Sequence, residues 1–308
     1  MRKAVLGLWV LALGLAPSAV AGELYVLPVV ADGVAGRFGS LWETQIRIVK
    51  VNPNDSVVIR RAWVCLEGGG FVDDPGTAPS WELPWSPDDF FAPRALLLTA
   101  ADVLVGTGAQ TGGVALDVEG GELLVDVGIV DVRLGGFVGG NQAMPYGIGQ
   151  TYGAARAPLE GASHVSWIGG CYGEGDIRDD CDNHYRNNVG LLNPNPEPLV
   201  FELTALPFVI GQAAIRHYGE LIWLPPLGWR QVEYPLDQQT LMLGTPFSFF
   251  TFPLYGVVNV EPQSELPYVA YVSVVYTSPV GVGTPRISDP FFQLAQPGYI
   301  MDYRDIPP

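Results

Sequence analysis

Val51-Asn52-Pro53-Asn54-Asp55 and Leu192-Asn193-Pro194-Asn195-Pro196 are two versions of one short motif, about 140 residues apart. Each follows a short run that alternates apolar and polar residues, and each precedes another apolar, strand-like segment. An Asn before Pro is held out of the helical region, and the Pro presets φ for the first corner of a turn. The motif therefore predicts the same tight corner between two strands at two places in the chain.

The sequence around the two corners also recurs in the same order. Gly113-Val114-Ala115-Leu116-Asp117-Val118-Glu119 matches Gly256-Val257-Val258-Asn259-Val260-Glu261, and the strand that begins at Glu122-Leu123 matches one that begins at Glu265-Leu266. A period of this length is too large for a solenoid unit and suits one β-sandwich. We therefore predict an all-β chain of two tandem Ig-like antiparallel β-sandwich domains related by an internal repeat.

Alternation of apolar and polar residues locates the strands. Three sets of residues share one parity and are predicted to face a core: Val57, Ile59, Trp63 and Cys65; Leu123, Val125, Val127 and Ile129; Leu199, Phe201 and Leu203. No long segment after the N-terminus shows a helical apolar period, and 38 Gly and 27 Pro are typical of a chain with many turns.

These patterns divide the chain into five segments. They are a signal peptide (1–21), a first sandwich (22–133), a bridging segment (134–184), a second sandwich (185–284) and a C-terminal tail (285–308). An insertion at 68–91, the bridge and the tail lie outside the repeat. Long insertions on a rigid sandwich are common places for binding sites.

The N-terminus has the three parts of a secretory signal. Arg2 and Lys3 are positive, Ala4–Ala16 is apolar but too short to span a bilayer, and Ala19-Val20-Ala21 offers small residues for cleavage before Gly22. We expect the mature protein to be secreted or otherwise extracytoplasmic (periplasm, cell surface or extracellular), with no membrane insertion of the mature chain.

The formal net charge of −16 restricts the possible partners. Nucleic-acid affinity comes mainly from Lys and Arg side chains that replace the counterions of the phosphates. A chain with twice as many acidic as basic residues repels phosphates, so the sequence argues against a nucleic-acid partner. Cationic ligands and divalent metals are compatible with this surface. Solubility alone also explains an excess of acidic residues.

The three cysteines suit an oxidising compartment. Cys171 and Cys181 are close enough in sequence to close a short loop, and we predict a disulfide between them. Cys65 lies in an apolar strand beside Trp63, which favours a buried small side chain over a reactive thiol.

Several of these features together resemble a known class of protein. They are Tyr25-Val26-Leu27-Pro28-Val29-Val30 leading to Trp42-Glu43-Thr44-Gln45-Ile46-Arg47, the two Asn-Pro corners, and Tyr146-Gly147-Ile148-Gly149-Gln150. The chain resembles uncharacterised exported bacterial proteins built of tandem Ig-like β-sandwich repeats. The resemblance implies the fold and the exported location, and it carries no catalytic residues.

The bridge contains an acidic loop that offers oxygen ligands of the kind Ca²⁺ prefers. The candidate ligands are Asp176, Asp179, Asp180 and Asp182. Their spacing does not match the EF-hand pattern, and a solvated acidic loop beside Arg178 explains the same residues. Both interpretations remain open from the sequence.

The insertion at 68–91 contains aromatic residues among prolines and acids, namely Trp81, Trp85, Phe90 and Phe91. Flat rings in such a loop can bind a sugar, or they can cover one open end of the sandwich. The carboxylate pairs Asp73-Asp74 and Asp88-Asp89 suggest a glycosidase only if two carboxyls face each other across a cleft.

No motif for nucleophilic or metal catalysis is present: His164, His184 and His217 lack zinc-site spacing, and there is no Gly-x-Ser-x-Gly elbow. The sequence therefore favours a non-enzymatic structural, adhesion or assembly protein that displays loops on β-sandwich domains. The alternative is a carbohydrate-binding module that uses the aromatics of the insertion. Possible partners are a second copy of the chain or an extracellular glycan or protein.

Overall fold

A computed structural model describes the protein over residues 22–35, 41–83, 95–132, 149–156, 158–169, 185–208, 218–233, 254–278, 286–287 and 291–297. These residues form antiparallel β-sheets, and the only helix among them is the single turn α1 (Ala100–Val103). The prediction of an all-β chain is confirmed. Within the same ranges no helix is long and apolar enough to cross a membrane.

Two sheets formed by the N-terminal half face each other and make a first sandwich. Sheet I contains β1 (Glu23–Ala31), β8 (Thr111–Glu119), β4 (Val57–Cys65), β5 (Phe71–Val72) and β6 (Ser80–Leu83). Sheet II contains β10 (Gly149–Gly153), β9 (Leu123–Asp131), β3 (Leu41–Lys50), β2 (Val34–Ala35) and β7 (Ala95–Thr99).

The C-terminal half forms a second pair of facing sheets. Sheet III contains β14 (Tyr218–Leu224), β13 (Leu199–Phe208), β16 (Leu254–Pro262), β11 (Ser163–Gly169) and β20 (Gln296–Pro297). Sheet IV contains β15 (Trp229–Glu233), β12 (Tyr185–Leu192), β17 (Val269–Ser278), β18 (Arg286–Ile287) and β19 (Phe291–Leu294).

Strand pairing is the same in the two halves. The path β1-β8-β4-β6 of sheet I has its counterpart in β11-β16-β13-β14 of sheet III. The path β10-β9-β3-β7 of sheet II likewise has its counterpart in β19-β17-β12-β15 of sheet IV. In each half the chain passes from its last main strand to the opposite sheet. After β10 of sheet II, Ala155 pairs with Val26 of sheet I, and after β19 of sheet IV, β20 pairs with β11 of sheet III.

Burial follows the predicted alternation. The three residue sets assigned to core faces from their parity are buried in the structure. The prediction that Val57, Ile59, Trp63 and Cys65 share one face of β4 is wrong, because a β-bulge between Arg61 and Trp63 shifts the register against β8. Beyond the bulge, Trp63 and Cys65 lie on the face opposite to that of Val57 and Ile59. The bulge adds one residue to β4 and bends the strand locally.

The matched strands correspond as predicted, but their register differs from the sequence match. Val57 and Leu199 are the first buried residues after the two corners, and Arg61 and Leu203 follow them at the same spacing. Arg61 of β4 therefore corresponds to Leu203 of β13. Arg61 pairs with Leu116 and Leu203 pairs with Val260, so Leu116 corresponds to Val260 and not to Asn259. In β9 and β17 the offset from the sequence match is larger. Leu123 pairs with Lys50 and Ala270 pairs with Leu191, and Lys50 and Leu191 hold equivalent positions before the two corners. Leu123 therefore corresponds to Ala270 and not to Leu266.

The segments outside the sequence repeat also contribute strands. The bridge at 134–184 contains β10, which joins the first sandwich, and β11, which joins the second. Between them Leu159 exchanges two backbone hydrogen bonds with Tyr268. In the tail, β18 and β19 pair with β17, and β20 pairs with β11.

Candidate interaction interfaces

The second Asn-Pro corner lies at the contact between the two sandwiches. Asn193 is fully buried, and its backbone carbonyl accepts a hydrogen bond from the Cys65 thiol at 3.4 Å. Its side-chain amide donates to the carbonyl oxygens of Glu197 (2.7 Å) and Pro225 (2.8 Å), and its Oδ1 accepts from the Asn195 backbone (3.0 Å). These bonds fix the conformation of the corner while the corner packs against the first sandwich.

A short backbone ladder crosses the same contact. The Leu66 amide donates to the Leu227 carbonyl (3.1 Å), and the Trp229 amide donates to the Leu66 carbonyl (2.9 Å). The buried indole of Trp229 donates to the carbonyl of Pro28 in β1 at 3.1 Å. Polar groups of both sandwiches are therefore paired with each other where they are removed from water, as buried backbone groups require.

A stack of aromatic rings forms a second part of the contact. The ring of Phe292 in β19 lies between Tyr152 and Tyr271, with centroid distances of 4.2 Å and 4.9 Å and interplanar angles of 18° and 16°. Beside the stack, Gln150 donates to the Val274 carbonyl (2.8 Å) and accepts from the Ser273 hydroxyl (2.7 Å). Stacked rings contribute about 0.5–1.5 kcal/mol each beyond their burial.

These contacts merge the interface with the core of the first sandwich. Leu192, Leu227, Trp229, Val269 and Tyr271 all belong to the apolar cluster that contains the first core. The second core is a separate cluster, to which Ala270 and Val272 contribute from the other face of β17. Sheet IV is therefore buried on both faces, and the two sandwiches are packed together over an apolar surface.

Two glycines allow close approaches, one between the sandwiches and one within the second sandwich. A Cβ at Gly113 of β8 would overlap the side chain of Leu192 across the interface. A Cβ at Gly190 of β12 would overlap the ring of Tyr271. Both positions need a residue without a side chain because the facing group occupies that volume.

Burial raises the pKa of the three ionisable groups at this interface. Desolvation alone raises the pKa of the Cys65 thiol. It is also the main cause of the raised pKa values of Tyr152 and Tyr271. Because the thiolate is the nucleophilic form, Cys65 is an unreactive packing residue, as its position in the sequence predicts.

The sequence did not identify a buried ion pair in the first sandwich. Arg61 forms a two-pronged contact with Asp73, with Nε to Oδ2 at 2.7 Å and Nη2 to Oδ1 at 2.9 Å. The remaining nitrogen donates to the carbonyls of Val103 (2.9 Å) and Val105 (2.8 Å) at the end of α1, and Phe71 lies 5.4 Å from the guanidinium. Arg61 thus connects β4 to the insertion and to the helix, which gives Asp73 a structural role.

An exposed apolar surface lies on the outward side of sheet II, at the end near the first corner. We call it the sheet II face and define it by Val49, Val51, Ala95, Leu97 and Leu124. Leu97 is 74% exposed, Leu124 54% and Val51 48%, and Val49 and Ala95 are partly exposed between them. Val49 pairs with Leu124 on one side and with Ala95 on the other, so the surface is continuous across three strands.

Most of the residues predicted to bind ligands lie outside the described ranges. They are Trp85, Phe90, Phe91, Cys171, Asp176, Asp179, Asp180, Cys181 and Asp182. Trp81 is described: it pairs with Ile59, is half-buried and packs against the first core. Its position agrees with the interpretation in which the insertion aromatics cover the sandwich. The disulfide and the calcium site stay predictions.

Of the three histidines, which lack zinc-site spacing in the sequence, His164 lies on β11 opposite Asn259 and Gln296. His184 and His217 fall outside the described ranges. Within those ranges no group of three or more His, Cys, Asp or Glu side chains is close enough to hold a metal ion.

Comparison with known proteins does not assign the chain to a family. No protein-family model matches the sequence, and no curated protein is significantly similar to it.

Proposed function

We propose that this is an exported, non-enzymatic structural protein whose two sandwiches form one rigid body for adhesion or assembly outside the cytoplasm. The observation that carries the proposal is the buried interface between the sandwiches. A protein that only linked two binding modules would have a small, polar contact, which permits relative motion of the domains. Here an apolar core continues from one sandwich into the contact with the other.

Rigidity is useful for a structural element because it fixes the distance and direction between surfaces at its two ends. The interface achieves this with two independent sets of contacts, the Asn193 corner with Trp229 and the Phe292 stack. They hold different strands of the second sandwich against the first. The sequence supports export through its N-terminal signal, and the acidic surface favours solubility outside the cytoplasm.

We further infer that the two halves arose by duplication of one Ig-like sandwich unit. The identical pairing of eight strands in each half supports this, as does the shared change of sheet at the end of each half. Only the two antiparallel layers agree with an Ig domain. The order of strands differs, because β1 and β3 lie in different sheets here, whereas the first two strands of an Ig domain share a sheet.

The carbohydrate-binding alternative depends on Trp85, Phe90 and Phe91, because Trp81 packs against the core. A glycan array separates the two functions. Binding that is abolished by Trp85→Ala supports the carbohydrate module, and the absence of glycan binding by the folded protein supports the structural role.

The proposed function is tested in cells that normally produce the protein. We expect the chain in the extracytoplasmic fraction to begin at Gly22, and we expect its deletion to weaken surface adhesion or assembly. Complementation with the intact gene should restore the phenotype, and complementation with Trp229→Ala, which weakens the contact between the sandwiches, should restore it only in part. A protein retained in the cytoplasm, or a deletion strain with unchanged surface properties, contradicts the proposal.

A further inference from the structure

We propose that two copies of this chain pair through their sheet II faces, around a two-fold axis that runs along the strands between β3 and β9. The inference rests on the proposed function and deepens it, because it names the assembly partner and the surface used. It is carried by the pattern of residues on this side of sheet II, which is complementary to itself under that rotation.

The four strands of this side divide evenly about the axis. Their order is β10-β9-β3-β7, so a half-turn around a line between β9 and β3 lays β3 of one copy over β9 of the other. The same rotation lays β7 over β10. Two sheets that pack face to face keep their strands within about 30° of each other, so residues of the same row stay close together near the axis.

Opposite charges occupy the row beside the sheet II face. Arg47 of β3 lies directly opposite Asp126 of β9, and both residues are exposed. The half-turn places Arg47 of each copy over Asp126 of the other. The four side chains then form a square of alternating charges, in which each charge has an opposite charge beside it in its own sheet and another facing it. Complementary charges of this kind fix the orientation of two partners and disfavour wrong ones.

Apolar residues meet each other in the next row. Val49 lies opposite Leu124, so the rotation places Val49 of each copy over Leu124 of the other. Both residues are at least partly exposed in the single chain, and the contact removes them from water. A group of neighbouring exposed apolar side chains on an otherwise acidic protein is typical of an interaction site.

Side-chain size is complementary at two further positions. Gln45 of β3 lies opposite Gly128 of β9, and Leu97 of β7 lies in the same row as Gly153 of β10. The half-turn places each long side chain over the glycine of the other copy. A Cβ added at either glycine comes no closer than 3.9 Å to a described residue other than its neighbours in sequence. The space above both glycines is therefore open to a side chain of the partner.

These matches select a second copy as the occupant. A partner of another sequence does not require this face to be complementary to itself in charge, apolar character and size. The contact uses the same surface on both copies, so it is isologous and closes at a dimer. The face is only four strands wide, which favours a weak dimer over an obligate one.

Analytical ultracentrifugation of the purified protein at micromolar to millimolar concentrations measures the association. We expect the wild type to pass from monomer to dimer and no further. Arg47→Asp and Asp126→Arg each place like charges face to face, and each should raise the dissociation constant about tenfold or more. The matched control Arg230→Asp reverses the charge of an exposed arginine on β15 of the second sandwich, and it should dimerise like the wild type. Circular dichroism shows that each variant is folded.

Two further measurements test the symmetry of the contact. The double reversal Arg47→Asp/Asp126→Arg recreates the alternating square and should restore the dimer. A mixture of the two single variants should form a mixed dimer, because the aspartates of one variant face the arginines of the other.

The proposal is overturned by single variants that dimerise like the wild type or that stay monomeric when mixed, and by a double variant that does not dimerise. A wild type that stays monomeric throughout the concentration range, or that grows beyond a dimer, also overturns it. None of these results affects the export and adhesion measurements that test the proposed function.

Discussion

The two Asn-Pro corners have nearly the same sequence and opposite environments. In both, the first asparagine Oδ1 accepts a hydrogen bond from the backbone two residues later, at 3.1 Å from Asn54 and at 3.0 Å from Asn195. Asn52 and Asn54 are exposed, and the Asn52 amide donates to Asp55. Asn193 and Asn195 are buried, and the Asn193 carbonyl accepts a hydrogen bond from Cys65 of the first sandwich.

The comparison shows that a motif can fix a local conformation without fixing its role. The corner is formed by the short-range chemistry of Asn and Pro, which is independent of neighbouring domains. Whether the corner faces water or another sandwich depends on which face of the sheet is covered. Four experiments test this contrast between the corners and between the sandwiches that contain them.

Removal of the Trp229 side chain should be the most damaging change at the buried corner. Trp229→Ala deletes a ring packed between the sandwiches and its bond to Pro28, and we expect a loss of about 3–5 kcal/mol in the free energy of unfolding. Chemical denaturation measures the loss. Trp223→Ala is the matched control, since Trp223 is 56% exposed on β14 of the same sandwich. It should change stability by less than about 0.5 kcal/mol. Equal effects of the two substitutions would contradict the assignment of Trp229 to the interface.

The second experiment concerns a core position at which the two sandwiches differ in chemistry. Arg61 of the first sandwich corresponds to Leu203 of the second. Removal of one member of a buried ion pair leaves the other uncompensated, so Asp73→Leu should cost about 3 kcal/mol or more. The double variant Arg61→Leu/Asp73→Leu should cost much less than the two single changes combined, because it removes both charges. Additive losses in this double-mutant cycle would show that the two side chains do not interact.

The third experiment makes the same substitution in the two corners. Asn193→Ala removes buried hydrogen bonds to Glu197 and Pro225 and should cost about 2–3 kcal/mol. Asn52→Ala acts on a solvated corner and should cost about 0.5–1 kcal/mol. Thermal and denaturant unfolding of the two variants give the difference. A loss at Asn52 as large as that at Asn193 would contradict the exposure of the first corner.

The fourth experiment tests a property that the two sandwiches share. Burial is the main cause that raises the pKa of Tyr25 in the first sandwich and of Tyr268 in the second, each to about 12. A raised pKa in the folded state stabilises the fold fully below the usual tyrosine value of about 10, and the stabilisation is lost as the pH rises through 12. Absorbance of tyrosinate near 295 nm should therefore rise in two steps, with the buried groups ionising together with alkaline unfolding. Complete ionisation near pH 10 with the fold intact would contradict this.

Much of the fold could be predicted from the sequence because the relevant signals are local. Alternation in β9 and β13 identified the residues that face the cores, and the corner motif identified two equivalent turns. In β4 it held for Val57 and Ile59 but not for Trp63 and Cys65, which lie beyond the bulge. The register between matched strands could not be predicted in the same way. The β-bulge in β4 and the extra residue in the second corner shift the alignment, and both depend on the pairing of strands that are distant in sequence.

The candidate interfaces were less visible from the sequence. Arg61 has the core-facing parity of β4, and only its contacts with Asp73 and the end of α1 make the burial of its charge possible. Trp229 and Phe292 had no recognisable motif, since their partners Pro28 and Tyr152 come from the other sandwich. Their apolar character predicts that the two side chains are buried, but it does not identify the residues they pack against.

By itself the sequence determined the β class, the doubled set of strands and the two corners, because side-chain alternation and Asn-Pro chemistry act over a few residues. The tertiary structure alone decided which corner is buried, which arginine is paired and which sheet face is left exposed. Those outcomes depend on contacts between different strands and loops, such as Arg61 with Asp73 and Cys65 with Asn193, and the preferences of neighbouring residues do not encode such contacts.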